Sequence, residues 1–149
     1  MEGSRVEIIG LTGLPLIREG DDLGKLIVEA AERLGVGINS GDIVVVSQIV
    51  VSKAEGRVKR LSDYTPSNFA EKVAKRLGKD PRHVEAILRS SRRIVRMARR
   101  IIISETYGGH ICANAGVDLS NVGEGFVALP PIDPDGSAAR LRRRVRELR

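Results

Sequence analysis

Apolar positions along the chain fall into runs whose period changes, and each period predicts an element. Arg5-Val6-Glu7-Ile8-Ile9 reads as a short first strand, followed by a Gly/Pro loop from Gly10 to Gly20. Asp21 or Asp22 can cap a helix whose Leu23, Leu26, Ile27, Ala30 and Leu34 share one face, and Gly35 suits its stop. Ile43, Val44, Val45 and Val46 form a continuous β-branched run, which predicts a strand buried on both sides. Ser47 and Gln48 interrupt it before a second apolar run, Ile49-Val50-Val51. A second helix is predicted from Thr65-Pro66, with Phe69, Val73 and Leu77 inward and Gly78 at its end. A third begins at Asp80-Pro81 and groups Val84, Ile87 and Leu88.

Residues 92–106 are ambiguous: Ile101-Ile102-Ile103 is strand-like, while the arginines before it suit a helix end or an edge strand. Tyr107-Gly108-Gly109-His110 reads as a hairpin turn into Ile111-Cys112-Ala113. From Ser137 a helix with Ala138, Leu141, Val145 and Leu148 on one face runs to Arg149. It has neither a capping Gly nor a terminating Pro, so the chain reads as cut there. No internal repeat interrupts this order.

At 149 residues the chain is about one domain, long enough to bury a core. No apolar run approaches the ~20 residues that span a bilayer, and the first ten residues lack a signal-peptide layout. The single Cys112 cannot form an internal disulfide, so a soluble protein of the reducing cytoplasm is the default. The net charge of +6 is segregated. Residues 89–100 hold six Arg and no acid, residues 101–139 hold five acids and no Lys or Arg, and the last ten hold six Arg and one Glu. Neither Arg cluster contains an aromatic residue for base stacking, which disfavours nucleic acid. Solvated Arg faces, or contacts to a phosphorylated small molecule or a partner chain, fit better.

There is no P-loop and no dinucleotide-binding glycine pattern, and two His with one Cys cannot build an ordinary structural zinc site. Cys112 in an apolar strand reads as a small buried hydrophobe. Three segments retain chemical interest. Gly13-Leu14-Pro15-Leu16-Ile17 is an apolar loop that either packs as a connection or offers backbone groups and a flat face to a ring. Ser47-Gln48 and Ser52-Lys53-Ala54-Glu55-Gly56-Arg57 are either a polar surface loop or a ligand-binding strand end in which Lys53 meets a phosphate. Asn114, Asp118, Ser120 and Asn121 are either a self-bonding Asx turn or oxygen donors for a hard cation. One carboxylate alone makes a poor metal site, so further ligands would have to come from elsewhere.

The strings GLPLIREGDDL, GDIVVVSQIVVSKAEGR, GKDPRHVEAILRSS, ICANAGVDLSNV and LPPIDPDGSAARLRRRV, in this order, resemble the coenzyme F-420-0: L-glutamate ligase family of archaea and actinobacteria. The resemblance covers nearly the whole chain. It implies an α+β fold, a mixed sheet with flanking helices as in gamma-glutamyl ligases, truncated at the C-terminus. Residues 1–149 would be the N-terminal part of one ligase domain. It implies GTP-dependent joining of L-glutamate to the phospholactyl end of a deazaflavin precursor, with Mg²⁺ or Mn²⁺ and K⁺. Leu14, Pro15, Leu16, Ile17, Ser47, Gln48, Lys53 and Asn121 would contact GTP, and Asp118 would bind the divalent metal. The resemblance names no catalytic residue in this chain, because family members continue into a segment with further metal ligands and another nucleotide loop. It also implies an intertwined homodimer, with exposed apolar surface where the remaining half sits. A non-catalytic GTP- or metal-binding fragment and a basic RNA-associated protein are the competing readings.

Overall fold

Helices form where capping chemistry and apolar spacing agree. The computed structural model describes residues 5–98 and 100–149; residues 1–4 and Arg99, a member of the first arginine cluster, lie outside them. Helix α1 (Leu23–Arg33) starts where the Asp22 carboxylate accepts the Lys25 N–H at 3.0 Å, and it buries Ile27, Val28, Ala30 and Ala31. Helix α2 (Gln48–Ala54) follows an uncapped Ser47. After strand β1 (Val58–Arg60) and a 3-10 turn (Leu61–Asp63), helix α3 (Asn68–Leu77) ends at Gly78 in the left-handed conformation. Helix α4 (Pro81–Arg89) carries Asp80 as its cap and Pro81 in its first turn.

Strands β2 (Ser91–Ala98), β3 (Ile101–Thr106) and β4 (Ile111–Ala113) form an antiparallel sheet, its first pair interrupted by two register shifts. At the β3–β4 turn the Thr106 N–H donates to the His110 carbonyl at 2.9 Å. A 3-10 turn (Asn114–Gly116) leads to β5 (Phe126–Ala128), which pairs antiparallel with β1. Helix α5 (Pro134–Leu148) packs on α1. Their approach is close: a Cβ on Gly24 would lie 2.9 Å from the Arg144 Cβ, and Arg144 Nε donates to Asp22 at 2.8 Å beside it. The α+β class holds, but the described residues form two separate antiparallel sheets and not one mixed sheet.

The core lies between the α3–α4 pair and the sheets. Val73, Leu77, Val84, Ile87, Ile102 and Val127 are its main side chains. Glu85 clamps the pair from within: its buried carboxylate accepts the Ser67 N–H at 3.0 Å, the Ser67 hydroxyl at 2.8 Å and Arg89 Nε at 2.9 Å. The Ser67 backbone N–H contributes most to holding Glu85 below its usual value, outweighing the burial that opposes it, with Arg89 and the Ser67 hydroxyl assisting. A depressed carboxylate stabilises the fold above its unfolded pKa and loses that contribution as pH falls. Glu85→Gln should therefore cost about 1–3 kcal/mol at neutral pH. It should also flatten the fall in unfolding free energy below the unperturbed value of 4.5. Urea titrations of both proteins across acid pH read this, and parallel pH profiles would refute it.

Several sequence expectations shift. Residues 5–9 and 43–46 lie in no strand, and Ile8, Ile43 and Val45 are 92%, 88% and 89% exposed. A strand needs a second backbone for its N–H and C=O groups, and none among the described residues lies along these segments. The Ile49-Val50-Val51 run forms the first turns of α2, since a short apolar run does not distinguish helix from strand. Helix α3 begins at Asn68, not at Thr65, because Ser67 takes the cap and donates to Glu85. That phase turns Phe69 outward, 53% exposed, and puts Ala70 and Ala74 inward. Helix α5 begins three residues before Ser137, capped by Asp133 onto the Gly136 N–H at 2.9 Å, and Ala138 faces solvent while Val145 is buried.

The arginine clusters are partly spent on internal pairs. Arg92 and Arg93 reach Glu105, Arg140 reaches Glu55, and Arg144 reaches Asp22 and Glu147. Cys112 is half-buried in β4, and burial pushes its thiol up, away from a reactive thiolate. Among the described residues no helix is long and apolar enough to cross a membrane.

Candidate functional site

Three loops meet at the C-terminal end of α2. The Gly10-to-Gly20 loop is tied there by the Gly20 N–H, which donates to the Ala54 carbonyl at 2.9 Å. Its last turn is fixed locally: the Arg18 N–H donates to the Asp21 carboxylate at 2.7 Å, and the Asp21 N–H returns to the Arg18 carbonyl at 3.2 Å. Gly56, in the left-handed region at φ 64°, lets the Glu19 carboxylate close down; a Cβ on Gly56 would overlap it. Lys53 sits half-buried in the last turn of α2, where a cation suits the helix dipole. It makes no ion pair among the described residues.

The Asx-rich segment is built on strain and on self-bonding. Asn114 and Ala115 both take positive φ, 51° and 52°, and the Val117 N–H donates to the Asn114 carbonyl at 2.9 Å. Asp118 then exchanges backbone bonds with Ala128 at 2.8 and 2.9 Å, which extends the edge of β5. Its carboxylate accepts the Ser120 N–H at 2.9 Å and the Ser120 hydroxyl at 2.7 Å, and Asn121 Nδ2 donates to that hydroxyl at 3.0 Å. Burial pushes Asp118 up, but the Ser120 bonds, the Leu119 N–H and His83 together outweigh it and hold the carboxyl below its usual value. It is a carboxylate at neutral pH. Behind it His83 is buried, with Nε2 lacking a hydrogen-bond partner among the described residues. Burial and the nearby Lys79 push the imidazole down, against the opposing pull of Asp80, the Val117 backbone and Asp118.

Ile17, Lys53 and Asn121, from three separate segments, border one cavity of about 360 Å³. Val58, Val122 and Phe126 add apolar wall, and Arg18, Glu19 and Gly56 complete the polar side. Asp118 joins this group through Ser120 and Asn121 but does not itself border the cavity. Gln48 faces elsewhere: its Nε2 donates to the Gly116 carbonyl at 3.1 Å, pinning α2 to the Asx turn, and it borders a wide cleft of about 1580 Å³ between residues 38–46 and α5. Leu14, Pro15 and Leu16 are exposed on the loop outside the cavity, and Ser47 is exposed with its hydroxyl uncommitted to a cap. Arg18 and Glu19 directly follow the apolar Gly13-to-Ile17 loop, and neither they nor Phe126 carries a spacing signal.

Among the described residues no three His, Cys, Asp or Glu side chains converge into a metal site. Asp118 is a lone hard-oxygen donor here: its carboxylate accepts from Ser120, and Asn121 turns its amide nitrogen toward that hydroxyl, so a divalent cation would need further ligands. The lining suits an anion: two cationic residues and one amide residue border it with one acidic residue, over an apolar floor.

This α+β framework with an anion-suited cavity belongs to the F420-0:Gamma-glutamyl ligase family, whose pattern matches residues 12–149. The chain is 46% identical over 144 residues to the Coenzyme F420:L-glutamate ligase of Archaeoglobus fulgidus, covering 97% of this chain and 55% of that protein. The ligase of the same name from Methanopyrus kandleri is 52% identical over 132 residues, covering 89% of this chain and 50% of that one. That of Methanothermobacter thermautotrophicus is 45% identical over 142 residues, covering 95% and 56%. The chain thus spans about half the length of these relatives, and it is homologous to amide-forming ligases.

Proposed function

We propose that the protein acts in the cytoplasm as the N-terminal part of a ligase that joins L-glutamate to the phospholactyl carboxylate of a deazaflavin precursor, with GTP as phosphoryl donor. The observation that carries this reading is the single cavity bordered by Ile17, Lys53 and Asn121, with the Asp118 carboxylate hydrogen-bonded into it through Ser120. A carboxylate does not condense with an amine at neutral pH. The γ-phosphoryl group of GTP therefore passes to the carboxylate oxygen, releasing GDP and leaving an acyl phosphate. The glutamate amine attacks the acyl carbon, the C–O bond to phosphate breaks, and the amine proton leaves to solvent. Lys53 and Asn121 hold the phosphates, and Ile17 covers an apolar part of the nucleotide. Leu14, Pro15, Leu16, Ser47 and Gln48 complete the nucleotide contacts in the assembled protein. Asp118 would hold a Mg²⁺ or Mn²⁺ ion, which, together with K⁺, would supply charge neutralisation of the triphosphate. The exposed apolar side chains of residues 5–9 and 43–46 mark where the remaining part of the ligase would sit, and the whole would form a homodimer.

The test supplies GTP, Mn²⁺, KCl, the deazaflavin precursor and L-glutamate to the intact protein, and follows GDP release and product mass. Glutamate-dependent GDP release with a product heavier by one glutamyl residue supports the reading; absence of GTP binding overturns it. A second reading, nucleotide binding without turnover, is favoured by the solitary Asp118 carboxylate of the Asx segment, since no three His, Cys, Asp or Glu side chains converge among the described residues. It yields GTP binding with no glutamate-dependent GDP release.

A further inference from the structure

We propose that Arg18 is a second phosphate-binding cation of the nucleotide cavity, acting beside Lys53, a reading that rests on the nucleotide assignment above. Arg18 and Lys53 are the two cationic residues bordering this cavity, and neither side chain makes a hydrogen bond or ion pair among the described residues. Apart from the Glu19 carboxylate, the lining suits an anion with an organic body: the Asn121 amide as a donor, and Ile17, Val58 and Phe126 as apolar wall. A nucleoside triphosphate carries up to four negative charges, and the lone ammonium of Lys53 meets it as a point charge. A guanidinium presents a planar fork that two phosphate oxygens accept together.

The backbone holds Arg18 where that role needs it. Its N–H and carbonyl are both engaged by Asp21, and two residues on Gly20 is tied to Ala54, the residue after Lys53. The two cations therefore emerge from neighbouring points of two different segments. Glu19 is the one carboxylate bordering the cavity; its oxygens press on Gly56, where the absence of a Cβ gives them room. With Glu19 counted, the cavity still carries a net positive charge.

Calorimetric titration of the intact protein with GTP, guanosine and L-glutamate separates the possibilities. Arg18→Ala should lower GTP affinity about tenfold or more while leaving guanosine affinity within about twofold, and Arg18→Lys should recover part of the loss. An unchanged melting temperature for both variants shows that the loop is intact. Arg18→Ala binding GTP as tightly as the parent, or losing GTP and guanosine in equal measure, would overturn the proposal. So would a variant that keeps GTP but loses L-glutamate, since Arg18 would then hold the amino acid. A parent protein that binds no GTP removes the nucleotide assignment itself, a result distinct from each of these.

Discussion

Lys53→Ala is expected to weaken GTP binding by about ten- to a hundredfold, the loss of one charge-assisted phosphate contact of roughly 1.5–3 kcal/mol. Lys53 is half-buried in the last turn of α2 and borders the cavity, so a phosphate bound there would meet it away from bulk solvent. No carboxylate of the described residues neutralises it, so its charge is available to a ligand. Lys53→Arg should retain part of the affinity, because the charge survives while the donor geometry changes. Fold stability should move little in either variant, since Lys53 lies outside the buried core. Titration with GTP alongside thermal melting reads both quantities. An affinity within about twofold of the parent, with melting unchanged, would remove Lys53 from the site and with it the main support for a nucleotide there.

Elements whose cause is local could be read from the chain. Asp22, Gly78 and the Asp80-Pro81 pair each act within a few residues, and α1, α3 and α4 lie where they direct. The Tyr107-to-His110 turn behaves in the same way. Errors begin where a distant group decides. The start of α3 is set by Ser67, whose N–H and hydroxyl answer to Glu85 eighteen residues on, and the packing of Ala70, Val73, Ala74 and Leu77 into the core leaves Phe69 in solvent. The apolar run at 43–46 signals burial without saying against what, and no neighbour in sequence supplies that information.

The same division runs through the site. The Asp118–Ser120–Asn121 bonds are the short-range kind that Asx-rich spacing foretells. That Lys53 borders a cavity with Asn121 is another matter, because the two are brought together by the β1–β5 pairing and by α2 docking, both long-range. Family resemblance suggested that meeting; composition and periodicity could not. Arg18 shows the limit from the other side. As one exposed arginine in a loop it carries no signal in the sequence; the Gly20–Ala54 bond joins its segment to that of Lys53, and the two border one cavity.

Ile87→Ala should be among the most damaging changes to the fold, costing about 2–5 kcal/mol out of a total stability of roughly 5–15 kcal/mol. Ile87 is fully buried on α4, in the core that holds Val73 and Leu77 of α3 and Ile102 of β3. Alanine there removes methyl groups from a site walled by two helices and a sheet, where collapse to fill the void is hardest. Because α4 also contacts the Asn114–Gly116 turn, the same cavity loosens the support of the segment that positions Asp118 and Asn121. Phe69→Ala, a larger deletion in atoms, should change stability by no more than about 0.5 kcal/mol, since its ring already faces water. Urea unfolding of the two variants decides between the burial pattern of the fold and the inward Phe69 that apolar spacing predicts. If Phe69→Ala proved the costlier of the two, the phase of α3 and the core built on it would be wrong.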